Sequence, residues 1–153
     1  MRLTGYTDYC LRVLIYLAVH PERRVTIAEI ARSYGISENH LVKVAHELGK
    51  TGFLENTRGR GGGLALALSP EHINVGLVVR SAEGPTLPAA CFDATAPRCA
   101  IARMCTLRGA LGEAVDAFYG VLDRYTLADL VGKGPRQRQL RAQLIASSAI
   151  ARA

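Results

Sequence analysis

The sequence lacks the features that define several large classes of protein. No stretch approaches the 18 apolar residues of a membrane span, and residues 1–10 lack the apolar run and cleavage site of a signal peptide. The spacing of polar residues singles out no Ser/His/Asp set, no paired carboxylates and no nucleotide-binding loop. We therefore expect a cytoplasmic protein with no membrane association and no enzymatic activity.

Acidic residues are scarce relative to basic ones. Thirteen Asp and Glu stand against 19 Lys and Arg, which gives a formal net charge of +6, and 16 of the basic residues are arginine. The planar guanidinium group of arginine pairs well with phosphate and with the edge of guanine. The composition favours a polyanionic partner such as nucleic acid, although a basic protein that is simply well solvated has the same composition.

Cysteine is also scarce, and its distribution is uneven. Three of the four cysteines, Cys91, Cys99 and Cys105, lie within 15 residues, and the fourth is Cys10. Structural disulfides are rare in the cytoplasm, and three thiols cannot all pair with one another. Soft thiolates suit an iron–sulfur cluster, whereas zinc sites favour cysteine pairs two to four residues apart. The residues alone leave a cluster, a zinc ion and metal-free thiols open, and Cys10 is predicted to be a small buried apolar residue.

Helical spacing of apolar residues recurs three times before the first glycine-rich stretch. The three predicted helices cover residues 7–20, 26–36 and 37–52. Thr7 and Ser37 stand at N-cap positions, and Gly35 ends the second helix because glycine readily adopts a left-handed backbone. Two short helices joined by a tight turn predict a helix-turn-helix, for which an ordinary helical hairpin is the alternative.

A basic hairpin is predicted directly after these helices. "FLENTR" and "GLALAL" have the short apolar pattern of β-strands, and "GRGGG" between them predicts a turn. A winged helix uses such a hairpin to contact the DNA backbone or minor groove. Helix, turn, helix and wing in succession therefore predict a DNA-binding domain. Its predicted contact residues are Ser37, Asn39, His40, Lys43, His46, Arg58 and Arg60.

The second half of the chain predicts a long helix and a tail. From Thr106, apolar residues recur at spacings of four and three over about seven turns, too long a seam for one small domain to cover. A second copy is the expected partner, and packing against its own domain is the alternative. The expected fold is mainly α with a small β wing. Its segments are a winged helix-turn-helix domain (1–84), a cysteine loop (85–105), a dimerisation helix (106–131) and a flexible or weakly helical basic tail (132–153).

Four stretches together resemble a known family. "LTGYTDYCLRVLIYLA", "ISENHLVKVAHELGKTGFLENTRGRGGGLALAL", the three clustered cysteines and "YTLADLV" are similar to the dimeric winged-helix repressors that carry an iron–sulfur cluster, and most similar to their nitric-oxide-sensing members. The resemblance covers roughly residues 1–131. It implies binding of a two-fold homodimer to an inverted-repeat operator in double-stranded DNA. It also implies a [4Fe-4S] or [2Fe-2S] cluster held by Cys91, Cys99 and Cys105.

The fourth ligand of the cluster differs between members of the family. Housekeeping members of the family have a histidine three residues after the last cysteine, where this chain has Arg108, which cannot ligate iron. The nitric-oxide-sensing members imply Asp8 from the partner subunit instead, with Arg12 beside it. Charge stabilisation at a helix N-terminus is the alternative role of Asp8. Seven residues separate Cys91 from Cys99, somewhat more than in relatives.

The implied function is transcriptional repression. An intact cluster would brace the cysteine loop against the first helix of the partner, and reaction with nitric oxide would end repression. Two alternatives stay open at this point. A regulator of the same fold would respond to iron or cluster status, or to oxidants through its thiols, and an iron–sulfur electron-transfer protein would not bind DNA.

Overall fold

The computed structural model describes residues 2–59, 61–85, 88–93, 95 and 99–150. Its main helices are α1 (Gly5–Ala18), α2 (Ile27–Tyr34), α3 (Glu38–Lys50), α4 (Val75–Glu83), α5 (Thr106–Leu122), α6 (Leu127–Val131) and α7 (Pro135–Ile150). Strands β1 (Leu54–Thr57) and β2 (Gly63–Leu66) form a two-stranded antiparallel sheet, and short 3-10 turns cover Pro70–His72 and Ala90–Phe92. The predicted fold class, mainly α with a small β wing, is confirmed. Within the described part, no helix is both long enough and apolar enough to cross a membrane.

Helix α1 is the centre of the core and begins earlier than predicted. Thr4 is its N-cap, with its side-chain oxygen accepting a hydrogen bond from the Thr7 N–H. Thr7, the predicted cap, is itself fully buried and donates from its hydroxyl to Glu83 of α4. The same carboxylate accepts from the Thr4 N–H at 2.8 Å. Helix α4 therefore holds the start of α1, a long-range contact that local capping rules do not reveal.

Helices α2 and α3 form the predicted helix-turn-helix. Thr26 caps α2 by accepting from the Glu29 N–H, and Gly35 ends α2 with a left-handed φ of 64°. The apolar stripe of α3 is buried as expected, and it consists of Leu41, Val44, Ala45 and Leu48. Ser37 stands at the predicted N-cap position before α3. Helix α3 packs on both α1 and α2, which fixes the direction in which it presents its outer face.

The hairpin is the predicted wing and is fastened to the helical domain. Its register pairs Leu54 with Leu66 and Thr57 with Gly63. Val25, in the connection between α1 and α2, exchanges two backbone hydrogen bonds with Leu64, at 2.9 and 2.8 Å. The wing is thus held by backbone bonds near the turn end of β2 as well as by the buried side chains of its strands.

A tight joint connects α4 to the end of α5. The Arg80 guanidinium pairs with the Asp123 carboxylate, with Nη2 2.7 Å from Oδ2, and lies 4.4 Å from the centre of the Tyr119 ring. Asn74 accepts from the Leu77 N–H to cap α4 and donates to the Asp123 carbonyl at 2.7 Å. At Gly76, an added Cβ would lie 2.0 Å from Asp123 Oδ1, so only hydrogen fits there.

The long helix predicted for residues 106–131 is interrupted, which corrects the expectation of one continuous seam. Helix α5 ends at Leu122, and a capping box between Thr126 and Asp129 starts α6. Between them, the Tyr125 carbonyl accepts from the Val75 N–H at 2.9 Å, and the Leu127 N–H donates to the Ile73 carbonyl at 2.8 Å. These bonds draw the backbone out of the helix and return the chain to the core.

The tail (132–153) was predicted to be flexible or weakly helical. That prediction is wrong, because much of the tail forms a packed helix, α7. In α7, Gln137 Nε2 donates to the Ala18 carbonyl at 3.3 Å, Arg141 pairs with Glu22, and Leu144 is only 7% exposed. These residues recur at spacings of four and three, so they share one face of α7. That face packs against α2 and the end of α1. A face with so few apolar side chains is easily overlooked in a basic, small-residue sequence.

Candidate functional site

The outer face of α3 is polar and open to solvent. The side chains predicted to contact DNA from this helix and its N-cap position are all exposed, namely Ser37, Asn39, His40, Lys43 and His46. Asn39, Lys43 and His46 lie opposite the buried stripe, because residues three and four apart stack along one face of a helix, and His40 lies to the side that faces α1. The structure therefore gathers these residues on one surface. Their contacts to bases and phosphates stay predictions.

Helix α1 lines one side of this surface. The His40 ring stacks on the Tyr9 ring with centroids 6.0 Å apart and planes inclined by 24°. Tyr6, Tyr9, His40 and Lys43 line a shallow cavity of about 280 Å³ between the two helices, with Gly5 at its edge. The sequence predicted that the helix over residues 7–20 is mostly core, and it did not predict the contact of Tyr9 with α3. The two tyrosines at the start of α1 were the available signal.

The wing contributes exposed positive charge. Arg58 is exposed next to the end of β1, whereas Arg60, the other predicted contact at the tip, lies outside the described residues. Arg24 was not predicted to have a role, yet its Nη2 lies 3.0 Å from Glu55 Oε2 on β1. This ion pair and the Val25 backbone bonds together set the position of the wing relative to α2.

One exposed apolar side chain interrupts the polar surface of α3. Val42 is 52% exposed, although the other large apolar residues of this helix are buried. Sequence reasoning omitted it from both the core stripe and the DNA-binding set. Its position one residue from the stripe was the signal that it faces outwards.

The three clustered cysteines flank the start of α5. Cys91 lies in the 3-10 turn Ala90–Phe92, Cys105 directly precedes α5, and Cys99 is exposed between them. All four cysteines of the chain are free thiols. Residues 94 and 96–98 of this loop lie outside the described part. Within that part, no three His, Cys, Asp or Glu side chains are gathered closely enough to hold a metal ion.

The turn that carries Cys91 is packed on α5. The Arg108 guanidinium lies 5.5 Å from the centre of the Phe92 ring, and a Cβ built at Gly112 would lie 3.8 Å from the same ring. Asp93 accepts from the Thr95 N–H and hydroxyl, at 2.8 and 2.7 Å, which lowers the pKa of its carboxyl group. Cys91 and Cys105 are therefore both attached to the N-terminal half of α5.

The chemistry of this donor set fits an iron–sulfur cluster. It offers three thiols, partly or fully exposed, in a loop with little regular structure. Thiolates are the usual ligands of iron–sulfur clusters, and Cys105 stands at the N-terminal end of α5. The exposed side chains of Arg103 and Arg108 stand on either side of Cys105. The surroundings therefore favour anionic ligands.

Cys10 has the opposite environment, as predicted. Its side chain is buried in the core, and burial raises the pKa of the thiol to about 11. The neighbouring Tyr6 hydroxyl hydrogen-bonds to it and has its own pKa raised to about 12, mainly by burial. Since a thiol with this pKa is protonated at neutral pH, Cys10 is neither a nucleophile nor a metal ligand.

Asp8 and Arg12 form the pair expected from the sequence. Arg12 Nε lies 2.8 Å from Asp8 Oδ2, one helical turn away, and both side chains are nearly half exposed. The Arg12 guanidinium also lies 5.5 Å from the centre of the Tyr34 ring. Arg12 therefore fixes the Asp8 carboxylate on the surface of α1, where a second molecule can reach it.

Exposed apolar side chains stand on both sides of Cys105, in the loop and at the start of α5. Met104 is 89% exposed, and Ile101 and Leu107 are also exposed on either side of Cys105. Side chains of this kind are normally covered when they form a contiguous patch. The patch therefore indicates a contact outside the single chain.

Comparison with known proteins agrees with this geometry. The model of the Rrf2 family, described as iron-dependent transcriptional regulator, matches residues 3–133. Over 132 residues the chain is 51% identical to the HTH-type transcriptional regulator NsrR of Bacillus subtilis, covering 86% of this chain and 90% of that protein. Over 141 residues it is 45% identical to NsrR of Bacillus licheniformis, covering 92% and 99%.

Two solved structures have the same architecture. IscR of T. potens has a TM-score of 0.69 and 28% sequence identity, and the match covers 86% of each chain. CymR, the global cysteine regulator of B. subtilis, has a TM-score of 0.68 and 27% identity, and the match covers 85% of this chain and 95% of that one. Both relatives support the winged-helix arrangement.

Proposed function

The chain belongs to the Rrf2 family of iron-dependent transcriptional regulators and is a DNA-binding regulator rather than an enzyme, and we propose that it is a repressor controlled by a cluster that reacts with nitric oxide. The attachment of both Cys91 and Cys105 to α5 carries the proposal. A change at these ligands would therefore act directly on α5, the longest helix within the described residues.

The proposed ligands are Cys91, Cys99 and Cys105, with Asp8 of the partner subunit in the fourth position. A carboxylate holds iron less firmly than a thiolate, since iron–sulfur clusters prefer soft ligands. Arg12 keeps the Asp8 carboxylate oriented through its hydrogen bond. When bound, the cluster supplies iron atoms with which nitric oxide reacts, and it is either [4Fe-4S] or [2Fe-2S].

The rest of the proposed response depends on residues of the chain itself. The end of α5 is held to α4 by the pair between Arg80 and Asp123. Helix α4 in turn holds the N-terminus of α1 through Glu83, and Tyr9 of α1 packs on His40 of α3. These contacts form a continuous route from the cysteine loop to the DNA-binding surface. The change in DNA affinity that this route can produce is limited by how differently the cluster-bound and nitric-oxide-treated states bind DNA.

DNA binding is proposed to follow the usual geometry of a winged helix. Helix α3 enters the major groove with Asn39, Lys43 and His46 towards the bases, and Ser37 and His40 lie at the rim of the contact. Arg58 and Arg60 of the wing contact the backbone or minor groove. A homodimer formed along α5 presents two such surfaces, so the operator is an inverted repeat.

The direct test uses anaerobically purified protein. Iron and sulfide analysis should give four or two of each per chain, depending on the cluster type, and a duplex selected from a random library supplies the operator. Titration of nitric oxide should release this duplex in parallel with bleaching of the visible absorbance. Cluster-free protein that binds the duplex as tightly as loaded protein would contradict the sensing proposal but leave DNA binding intact.

The exposure of Cys99 supports a second candidate function, in which the same regulator senses oxidants by disulfide formation. The DNA binding of iron-free protein separates the two candidates. Iron-free protein that binds the duplex, and releases it on peroxide treatment as a new disulfide forms, would favour the thiol sensor. Iron-free protein that binds the duplex weakly both with and without peroxide would favour the cluster sensor.

A further inference from the structure

We infer that Val42 recognises the 5-methyl group of a thymine in the operator and so determines part of the sequence preference. The inference rests on the proposed placement of α3 in the major groove. Val42 is the only large apolar side chain of α3 that is exposed, and α3 is fully described. It follows Asn39 by three residues and precedes His46 by four, so the three side chains lie on one face.

The fold gives no reason for valine at this position. Val42 is half exposed, whereas its neighbours Leu41 and Val44 are buried in the core. A β-branched residue also has a lower helix propensity than alanine, because its side chain loses rotamer freedom against the preceding turn. The same stiffness is useful for recognition, since two methyl groups are held in one direction and little entropy remains to be lost on binding.

The position of Val42 within the surface also favours a contact with bases. Two residues correspond to about 200° around a helix, so Val42 and His40 point to different sides of α3. Tyr9 of α1 covers the side of His40. The side of Val42 is open, and it adjoins the outward positions of Asn39 and Lys43.

Base chemistry identifies the ligand. In the major groove, thymine alone of the four bases presents a methyl group, next to its O4 acceptor. Asn39 and Lys43 suit the polar edges of adenine and guanine, whereas the apolar isopropyl group of Val42 suits this methyl group. The expected target is therefore a thymine in each half-site, next to a base contacted by Asn39 or His46.

Replacement of thymidine by deoxyuridine tests this contact, because it removes only the 5-methyl group of the base. The full-length chain, purified anaerobically, is used to select its preferred duplex from a random library, and each thymidine of the selected site is then replaced singly by deoxyuridine. One replacement per half-site should weaken binding roughly fourfold, the size expected for one buried methyl group. Replacements in the flanking sequence should have no effect.

Two variants provide the decisive comparison. Val42→Ala should lose the same roughly fourfold affinity for the thymine duplex and become indifferent to deoxyuridine at that position. Leu77→Ala removes a side chain that is 57% exposed on α4, and it should keep the full deoxyuridine effect. Both positions are exposed helix surface, so both variants are expected to fold, as thermal unfolding will show.

The outcomes separate this inference from the proposed function. If the wild-type protein selects a duplex but tolerates deoxyuridine everywhere, Val42 does not recognise a thymine and the inference is wrong, while DNA recognition stands. The same holds if Val42→Ala retains the deoxyuridine effect. If the wild-type chain selects no sequence at all, sequence-specific recognition by α3 fails, and the inference fails with it.

Discussion

Helices α1 and α5 are similar in length and apolar content but differ in what covers them. Helix α1 has 14 residues, seven of them buried in the core of its own chain. Helix α5 has 17 residues, and Tyr119 alone is buried in the described structure. The first helix therefore gains its stability within the chain. The second packs its C-terminal half on α4, where Val115, Phe118 and Leu122 are partly buried, and exposes Leu107 near its start. The proposed dimer would cover this exposed part.

The cysteines show the same difference between the two regions. Cys10 of α1 is enclosed and protonated, while the three cysteines before α5 are partly or fully exposed. The first region has its own buried core, whereas the second is the region that the proposed cluster and the proposed second chain would contact. Changes in either region should therefore have separable effects on folding and on control.

Loss of a loop cysteine should have the largest effect. Changing Cys91, Cys99 or Cys105 to serine should abolish the cluster and the response to nitric oxide, because too few soft donors remain. The helical domain should unfold at the same temperature as iron-free wild type. Iron and sulfide content, operator binding and thermal unfolding measure these effects. Cys10→Ser is the control and should retain the cluster; an unaltered cluster in a loop variant would exclude that cysteine as a ligand.

Truncation of a core leucine should have the next largest effect and should separate α1 from α5. Leu14 of α1 is fully buried, so Leu14→Ala should lower the free energy of unfolding by about 2–5 kcal/mol. Leu107→Ala on α5 should change it by less than about 0.5 kcal/mol in dilute monomer, yet weaken dimer association by about tenfold. Urea unfolding and sedimentation equilibrium test the pair. Equal losses of folding stability would show that α5 is packed on its own chain.

Helix α7 offers a smaller and well-matched comparison. Leu144 is 7% exposed and the adjacent Ile145 is 54% exposed. Leu144→Ala should lower the free energy of unfolding by about 2 kcal/mol and increase proteolysis after residue 132. Ile145→Ala should stay within about 0.5 kcal/mol of wild type. If the two variants behave alike, α7 is not docked against α2 in solution.

The joint between the two regions should show the smallest effect, visible as a pH dependence. The hydrogen bond from Arg80 holds the pKa of Asp123 below its ordinary value. The stability from this pair is therefore present above the pKa of unfolded aspartate, about 4, and is lost as pH falls through the lower folded pKa. Urea unfolding between pH 7 and 3 should show wild type above Asp123→Asn at neutral pH and a smaller difference in acid. A constant difference would mean that the carboxylate charge contributes nothing.

Local sequence signals predicted the DNA-binding half well. The stripe of α3, the αL turn at Gly35 and the two strands follow from spacing over a few residues. The errors arose where contacts between distant segments determine the burial of a residue or the end of a helix. Thr7 is buried and donates a hydrogen bond to Glu83 of α4. The chain leaves α5 where the backbone after it forms hydrogen bonds with Ile73 and Val75.

The candidate site shows the same limit. The sequence predicted Asn39 and Lys43 as contact residues, since polar residues opposite an apolar stripe are visible in a helical pattern. It did not predict that Tyr9 packs on His40, because that contact depends on how α1 and α3 are placed, and the outward position of Val42 was passed over because the residue is apolar. For Cys91, Cys99 and Cys105, spacing indicates the chemistry of the donors but not how the loop closes around a ligand.

The close fit at Gly76 has a consequence for protein engineering. Replacing a glycine inside a helix by alanine usually stabilises a protein, by up to about 1 kcal/mol. Gly49 in α3 is suited to that change, since an added Cβ would meet Leu54 at a comfortable 3.9 Å. At Gly76 the new methyl group would meet an Asp123 oxygen that Arg80 prevents from moving aside. A thermostabilised version of this regulator should therefore use the first site and avoid the second.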